Sequence, residues 1–184
     1  MRTALVIAVL AAALPLMAAV PAMASPTSVA VSAGALGVSA PAVNDFAVVV
    51  LDGAAQTAHT SLQPFSVTDA RGSGQGWTLS LQATPFREWD GTAYVPDGKT
   101  LPPGSLTLAG VSVTAAATDS DAPTVVAGPY PLDGPAVTVA AAAAGAGMGT
   151  FTFEPTGELA VAVPAHAYAR AYRSELSISV ASGP

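Results

Sequence analysis

Cysteine is absent from the 184 residues, and histidine occurs only twice, at His59 and His166. The first absence removes disulfide frameworks, thiolate metal sites and thiol nucleophiles. The second leaves too few imidazoles for a zinc site built on histidine. Charge is sparse as well, with six Lys+Arg against twelve Asp+Glu and a formal net charge of −6. A chain so short of cations repels nucleic-acid phosphates and anionic lipid, so neither is an expected partner. There is no G-x-S-x-G run around a serine, no P-loop lysine, and neither an internal repeat nor a heptad pattern. Without a converging nucleophile, acid–base pair or metal set, no catalysis and no cofactor is expected.

Alanine, valine, glycine and proline fill the space that charge leaves. An apolar run from Ala4 to Val20 ends in Ala22-Met23-Ala24, the small-x-small pattern of a signal-peptidase site, and predicts export with cleavage after Ala24. The run is about as long as a short membrane span, so an uncleaved anchor competes; Pro15, Pro21 and the Ala-x-Ala favour removal, leaving no span in the mature chain. Taking those twenty-four residues from 184 leaves 160, enough for one domain with its own core. Arg2 goes with them, which makes the charge −7. Residues 25–33 are expected to be a tether or an added edge strand, and 34–184 the domain. No LPxTG-like sorting signal is visible, so retention at a surface would be noncovalent.

Short alternating runs recur between Gly, Pro and Asp signals: Val29/Val31, Leu36/Val38, Phe46/Val48/Val50, Leu106/Leu108, Val111/Val113, Val137/Val139, Phe151/Phe153, Leu159/Val161/Val163 and Leu176/Ile178/Val180. A two-residue period with turn residues roughly every ten positions predicts an all-β antiparallel sandwich, immunoglobulin-like or jelly-roll-like. A further early strand is expected from Ser39 towards Phe46. Between Leu108 and Val111 the apolar phase slips by one, which predicts a bulge or a change of strand at Ala109-Gly110. Ala140 to Ala144 favours helix by propensity, yet five residues cannot nucleate one and glycines follow at once; a strand end running into a loop is expected.

Three groups of residues invite a chemical reading. Asp69 and Arg71 precede Gly72, Gly74 and Gly76 and then a strand carrying Trp77, Leu79 and Leu81 on one face. The carboxylate and guanidinium could pair or hold loop backbone, or Arg71 could grip a ligand carboxylate. Trp77 is either a core anchor or, at the strand's start, a stacking residue for a sugar. Glu88 and Asp90 flank Trp89 and lie about 7 Å apart if extended, a separation glycosidases use. A hairpin tip, however, would leave both acids solvated and unable to donate a proton near neutrality. Trp89 and Tyr94, across the Asp90-Gly91 turn, are candidates for binding sugar rings or a partner. Asp119-Ser120-Asp121 could offer oxygens to calcium but lacks the acid count and glycine of an EF-hand loop, and a polar turn is expected.

The passage from Asp69 through Gly72 and Gly76 to Trp77 and Leu79 resembles the first signature of the WxL-domain family of Gram-positive surface proteins, in which a tryptophan-x-leucine is reached through an Asp-x-Arg-Gly turn. Leu159 to Ala165, followed by Tyr172 and the run Leu176 to Val180, is similar to the family's C-terminal half. There the second motif departs from the pattern, with Ile178 where a tryptophan would stand and Val180 where a leucine would. The resemblance implies a secreted protein that attaches noncovalently to the cell wall through peptidoglycan, with Trp77, Arg71, Trp89 and Tyr94 as candidate ligand contacts. The competing expectation is a structural or adhesion module that binds another surface protein without affinity for glycan.

Overall fold

The computed structural model describes residues 29–115 and 120–183. The apolar run of residues 1–24 and its cleavage site, the start of the tether at 25–28, and Asp119 of the expected polar turn lie outside them. Among the described residues there are fourteen strands: β1 (Leu36–Val38), β2 (Gln56–Thr60), β3 (Phe65–Asp69), β4 (Trp77–Ala83), β5 (Arg87–Glu88), β6 (Leu106–Leu108), β7 (Val111–Ala115), β8 (Thr124–Val125), β9 (Tyr130–Pro131), β10 (Val137–Ala142), β11 (Gly149–Pro155), β12 (Leu159–Val163), β13 (Tyr172–Arg173) and β14 (Leu176–Ser182). Every pairing is antiparallel. The all-β expectation holds.

Three ladders of four strands run β1-β3-β11-β7, β14-β4-β10-β8 and β2-β12-β6-β9, with β13-β5 as a short ribbon. Register shows that the first and third continue one another. Phe153 faces Phe65 and Val113, and six residues on, Leu159 faces Thr60 and Leu108. Three chains, β2-β3, β11-β12 and β6-β7, therefore interrupt their pairing at one level and resume it. The phase slip at Gly110 is this crossing: β6 and β7 belong to different ladders, so the change of strand, rather than a bulge, is what the sequence signalled. The amide of Thr156 donates to Gly110 O at 3.0 Å across the break. A true bulge lies on β10 instead, where the pairing with β4 shifts between Thr138 and Ala140.

The core forms where the β3-β11-β7 layer faces the β4-β10 layer. Along β4, Trp77, Leu79, Leu81 and Ala83 are buried while Thr78, Ser80 and Gln82 point outward, the two-residue period that the sequence shows. The Trp77 indole meets Phe151 and Phe153 of the opposite layer at centroid distances of 6.4 and 6.3 Å, and Phe153 stacks on Phe65 at 5.5 Å. Ala140 and Ala142 are buried in β10, and the chain leaves the sheet into a turn at once. The five alanines are strand and loop, as expected: Ala140 and Ala142 are buried in the sheet, while Ala143 and Ala144 lie exposed beyond its end.

Three expected strands do not form. Val29 and Val31 are 88% and 90% exposed, Val48 and Val50 are 92% and 76% exposed, and none lies in a strand. From Ser39 to Phe46 only Val43 pairs, as a lone bridge to Leu62. Phe46 packs edge-on against Phe86 and Val49 joins the core margin, a spacing of three that breaks the two-residue alternation. Sequence alternation reports a residue's readiness to be a strand; it does not report whether a sheet edge is free to receive one.

Candidate functional site

Two tryptophan-bearing turns dominate the chemistry-bearing side chains, and the structure separates them. The first begins where β3 ends. Asp69 closes the inward row of Phe65 and Val67 and is itself 3% exposed. Its carboxylate accepts from Arg71 Nε at 2.9 Å and Nη2 at 2.8 Å, a two-pronged pair, and from the Arg71 backbone amide at 3.1 Å. The guanidinium continues outward: Nη2 also donates to Gly76 O at 2.8 Å, and Nη1 donates to Ser182 Oγ at the end of β14. Arg71 thus ties the glycine turn, the edge of β3 and the last strand together. Hydrogen bonding from the Arg71 side chain, aided by its backbone amide and its charge, holds the Asp69 carboxyl below its ordinary range. Four of the five guanidinium N–H groups of Arg71 are committed within the fold, which fits the holding role and leaves no free fork for a ligand.

Gly76 and Gly147 explain the glycines around this turn. Gly76 has φ +70°, and a side chain there would run into the Ala142 carbonyl; Gly147 has φ +73°, and a Cβ there would lie 2.6 Å from Trp77 Nε1. Backbone packs flush against the indole edge, and Trp77 Nε1 donates to Gly147 O at 2.9 Å. The neighbouring loops are stitched by Gly145 N to Gly74 O at 2.8 Å. Trp77 is fully buried. Its candidacy as a sugar-stacking residue is corrected by that burial: neither face nor edge of the ring reaches solvent, because Phe151, Phe153 and the Gly147 loop enclose it. The acceptor at Gly147, seventy residues away, had no signal in the sequence beyond the presence of glycine.

Pairing brings the two halves of the motif side by side. In the β14-β4 ladder Ser182 faces Trp77, Val180 faces Leu79 and Ile178 faces Leu81. The positions of the second tryptophan and its leucine are therefore neighbours of the first motif on one face, where Ile178, Val180 and Leu176 are half-buried at the core margin. Tyr172, in β13, is also packed at that margin, its hydroxyl donating to Tyr168 O at 3.2 Å and its pKa raised by burial.

The second turn is the Trp89–Tyr94 hairpin. Trp89 and Tyr94 form a lone bridge and meet edge-to-face at 5.1 Å, both half-exposed. Asp90 closes the tip: its Oδ1 accepts from the amides of Thr92 at 2.7 Å and Ala93 at 2.8 Å, which lowers its pKa. Glu88 lies on the other side of β5, paired with Arg170 at 3.2 Å and accepting from the Lys99 amide. Both carboxylates are thus engaged within the fold, Asp90 by the amides of its own turn and Glu88 by Arg170 and the Lys99 amide. What does gather here is positive charge. Arg87 lies over the Tyr94 ring at 5.5 Å, Arg173 over Trp89 at 4.6 Å and Lys99 over Tyr168 at 4.5 Å. With Arg170, that is four of the six cations in the sequence.

Elsewhere the candidates fall away. His59 is exposed beside Glu158 at 3.5 Å. Ser120 Oγ accepts from the Met148 amide and Asp121 O from the Gly147 amide, as a polar turn would. A buried carboxylate that the sequence did not flag, Asp133, is spent on Gly104 N, Ser105 N and Ser105 Oγ. Among the described residues no three metal-ligating side chains converge, and no helix is long and apolar enough to cross a membrane.

The arrangement of an Asp-x-Arg-Gly turn feeding a buried tryptophan, closed by the last strand, is matched by a family model described as WxL domain, surface cell wall-binding, over residues 39–184. The chain belongs to the WxL family. It is a cell-wall-associated, extracellular surface protein whose matched domain binds the cell wall. No curated protein and no solved structure matches it.

Proposed function

We propose that this WxL domain attaches noncovalently to the wall through peptidoglycan, and that the Trp89–Tyr94 hairpin, rather than the motif tryptophan, makes the contact. The observation that carries the reading is the contrast in exposure: Trp77 has no surface to offer, whereas Trp89 and Tyr94 present an L-shaped pair of half-exposed rings of the kind that packs against a sugar face. The rest of the fold serves as a rigid support, and repeated sites along the polymer give retention by avidity. In this reading residues 1–24 are an export leader removed after Ala24, and 25–33 a tether ahead of the domain.

Purified protein should co-sediment with washed sacculi from which other wall polymers have been removed, and Trp89→Ala should release most of it. Absence of the wild type from the pellet would overturn direct peptidoglycan binding. A second reading, docking of another surface protein, draws support from β14: seven residues at a sheet edge, Leu-Ser-Ile-Ser-Val-Ala-Ser, carry neither proline nor charge to discourage a new strand. Under that reading retention on sacculi appears only when a second surface protein is supplied.

A further inference from the structure

Arg87 and Arg173 are direct partners across the β5-β13 ribbon. Side chains so paired leave the same face with their Cβ atoms about 5 Å apart, and like charges in that position are destabilising. Among the described residues neither guanidinium takes part in an ion pair, the three such pairs being His59–Glu158, Asp69–Arg71 and Glu88–Arg170. The acid on their face is Glu175, two residues beyond Arg173, and its Oε1 accepts from the Tyr94 hydroxyl at 3.3 Å. Glu88, paired opposite Tyr172, leaves the other face with Arg170. Asp90 is taken up by the amides of its own turn.

The rings add order to this repulsion. Each guanidinium lies over one member of the Trp89–Tyr94 pair, so both forks are steadied beside the aromatic corner while their N–H edges remain free. We infer that Arg87 and Arg173 form a clamp for a carboxylate carried by the glycan that the aromatic corner holds, the role for which Arg71 is unavailable. The inference rests on the peptidoglycan reading above, and in peptidoglycan the carboxylates belong to the stem peptides. Two guanidiniums converging on one carboxylate turn an unfavourable pair into charge-assisted hydrogen bonds, the geometry for which arginine exceeds lysine. An anion also relieves the strain of the bare pair, so the site is better satisfied filled than empty. A net charge of −7 for the chain without residues 1–24 argues for weak salt dependence of wall binding; a local pair of cations argues that salt weakens this one contact within a Debye length.

The test uses the full secreted protein and sacculi stripped of phosphate-bearing polymers, compared with the same sacculi after their carboxyl groups have been capped as amides. Capping is expected to weaken retention by at least about tenfold, as is the double substitution Arg87→Gln with Arg173→Gln on uncapped sacculi. The double variant should melt close to the wild type, since the repulsion it removes offsets the two cation–π contacts it loses; that readout separates a binding defect from a folding defect. Equal retention on capped and uncapped sacculi would overturn the clamp while leaving peptidoglycan binding standing. Retention only on unstripped walls would overturn it in favour of a phosphate polymer. No retention on any preparation would remove the peptidoglycan reading itself.

Discussion

The chain has two tryptophans, each beside an arginine, an aspartate and a glycine turn, and they do opposite things. At Trp77 every polar partner is consumed within the fold: the indole N–H by Gly147, the Arg71 fork by Asp69, Gly76 and Ser182. At Trp89 the indole is half-exposed and, among the described residues, its arginine neighbours take part in no ion pair, although the hairpin's aspartate and the Tyr94 hydroxyl find partners within the fold. Residue type alone therefore does not divide architecture from recognition. The division follows from saturation: a group whose hydrogen-bonding and packing capacity is exhausted holds the fold, and a group left with capacity at the surface can do something else.

The largest loss of stability is expected from truncating the first tryptophan. Trp77→Ala should destabilise the domain by about 4 kcal/mol, because it opens a void between Phe151, Phe153 and the Gly147 loop and leaves the Gly147 carbonyl without its donor. Equilibrium denaturation measures it as a fall in midpoint at constant slope. A loss below about 1 kcal/mol would mean that the indole is not the centre of the core.

How much of this was legible depends on whether the deciding interaction was local. The alternation of Trp77, Leu79 and Leu81 states its own burial pattern, and the Asp69–Arg71 pairing is two residues long. Gly110 announced a crossing because the phase of apolar residues changes there. In contrast, Val48 and Val50 alternate as well as any true strand, yet they pair with no sheet edge and stay exposed. The arginine pair was illegible for the same reason: Arg87 and Arg173 are far apart in the chain, and their juxtaposition depends on the register of two-residue strands. Gly147 gave no local sign that it caps an indole, since a glycine in a glycine-rich loop looks like any other.

Charge at Asp69 holds the first turn as well. Its side chain is 1% exposed and that of Arg71 17%, so removing the carboxylate strands a partly buried guanidinium. Asp69→Asn should cost about 2–3 kcal/mol, less than a fully buried pair because Arg71 keeps Gly76 and Ser182. The folded pKa lies below the ordinary 3.8 because of Arg71. A group depressed in this way contributes stability that is present above the unfolded value and disappears as pH falls through the folded one. The wild type should therefore lose stability below about pH 4, and Asp69→Asn should lose less over the same interval; parallel acid titrations of the melting midpoint would refute the pairing.

The smallest effect on stability is expected at the second tryptophan. Trp89 is half-exposed, and its contacts are an edge-to-face ring, a cation above it, and a bridge between two turns. An aromatic pair of this kind contributes about 1 kcal/mol beyond its buried area, and the hairpin tip stays closed without it because Asp90 binds the Thr92 and Ala93 amides independently of the ring. Trp89→Ala should cost about 1 kcal/mol, roughly a quarter of the loss at Trp77, while retention on sacculi falls by far more than the fraction unfolded. Paired denaturation curves for Trp77→Ala and Trp89→Ala decide the matter. Equal losses would join the hairpin to the core and erase the distinction between a tryptophan that builds the domain and one that the domain presents.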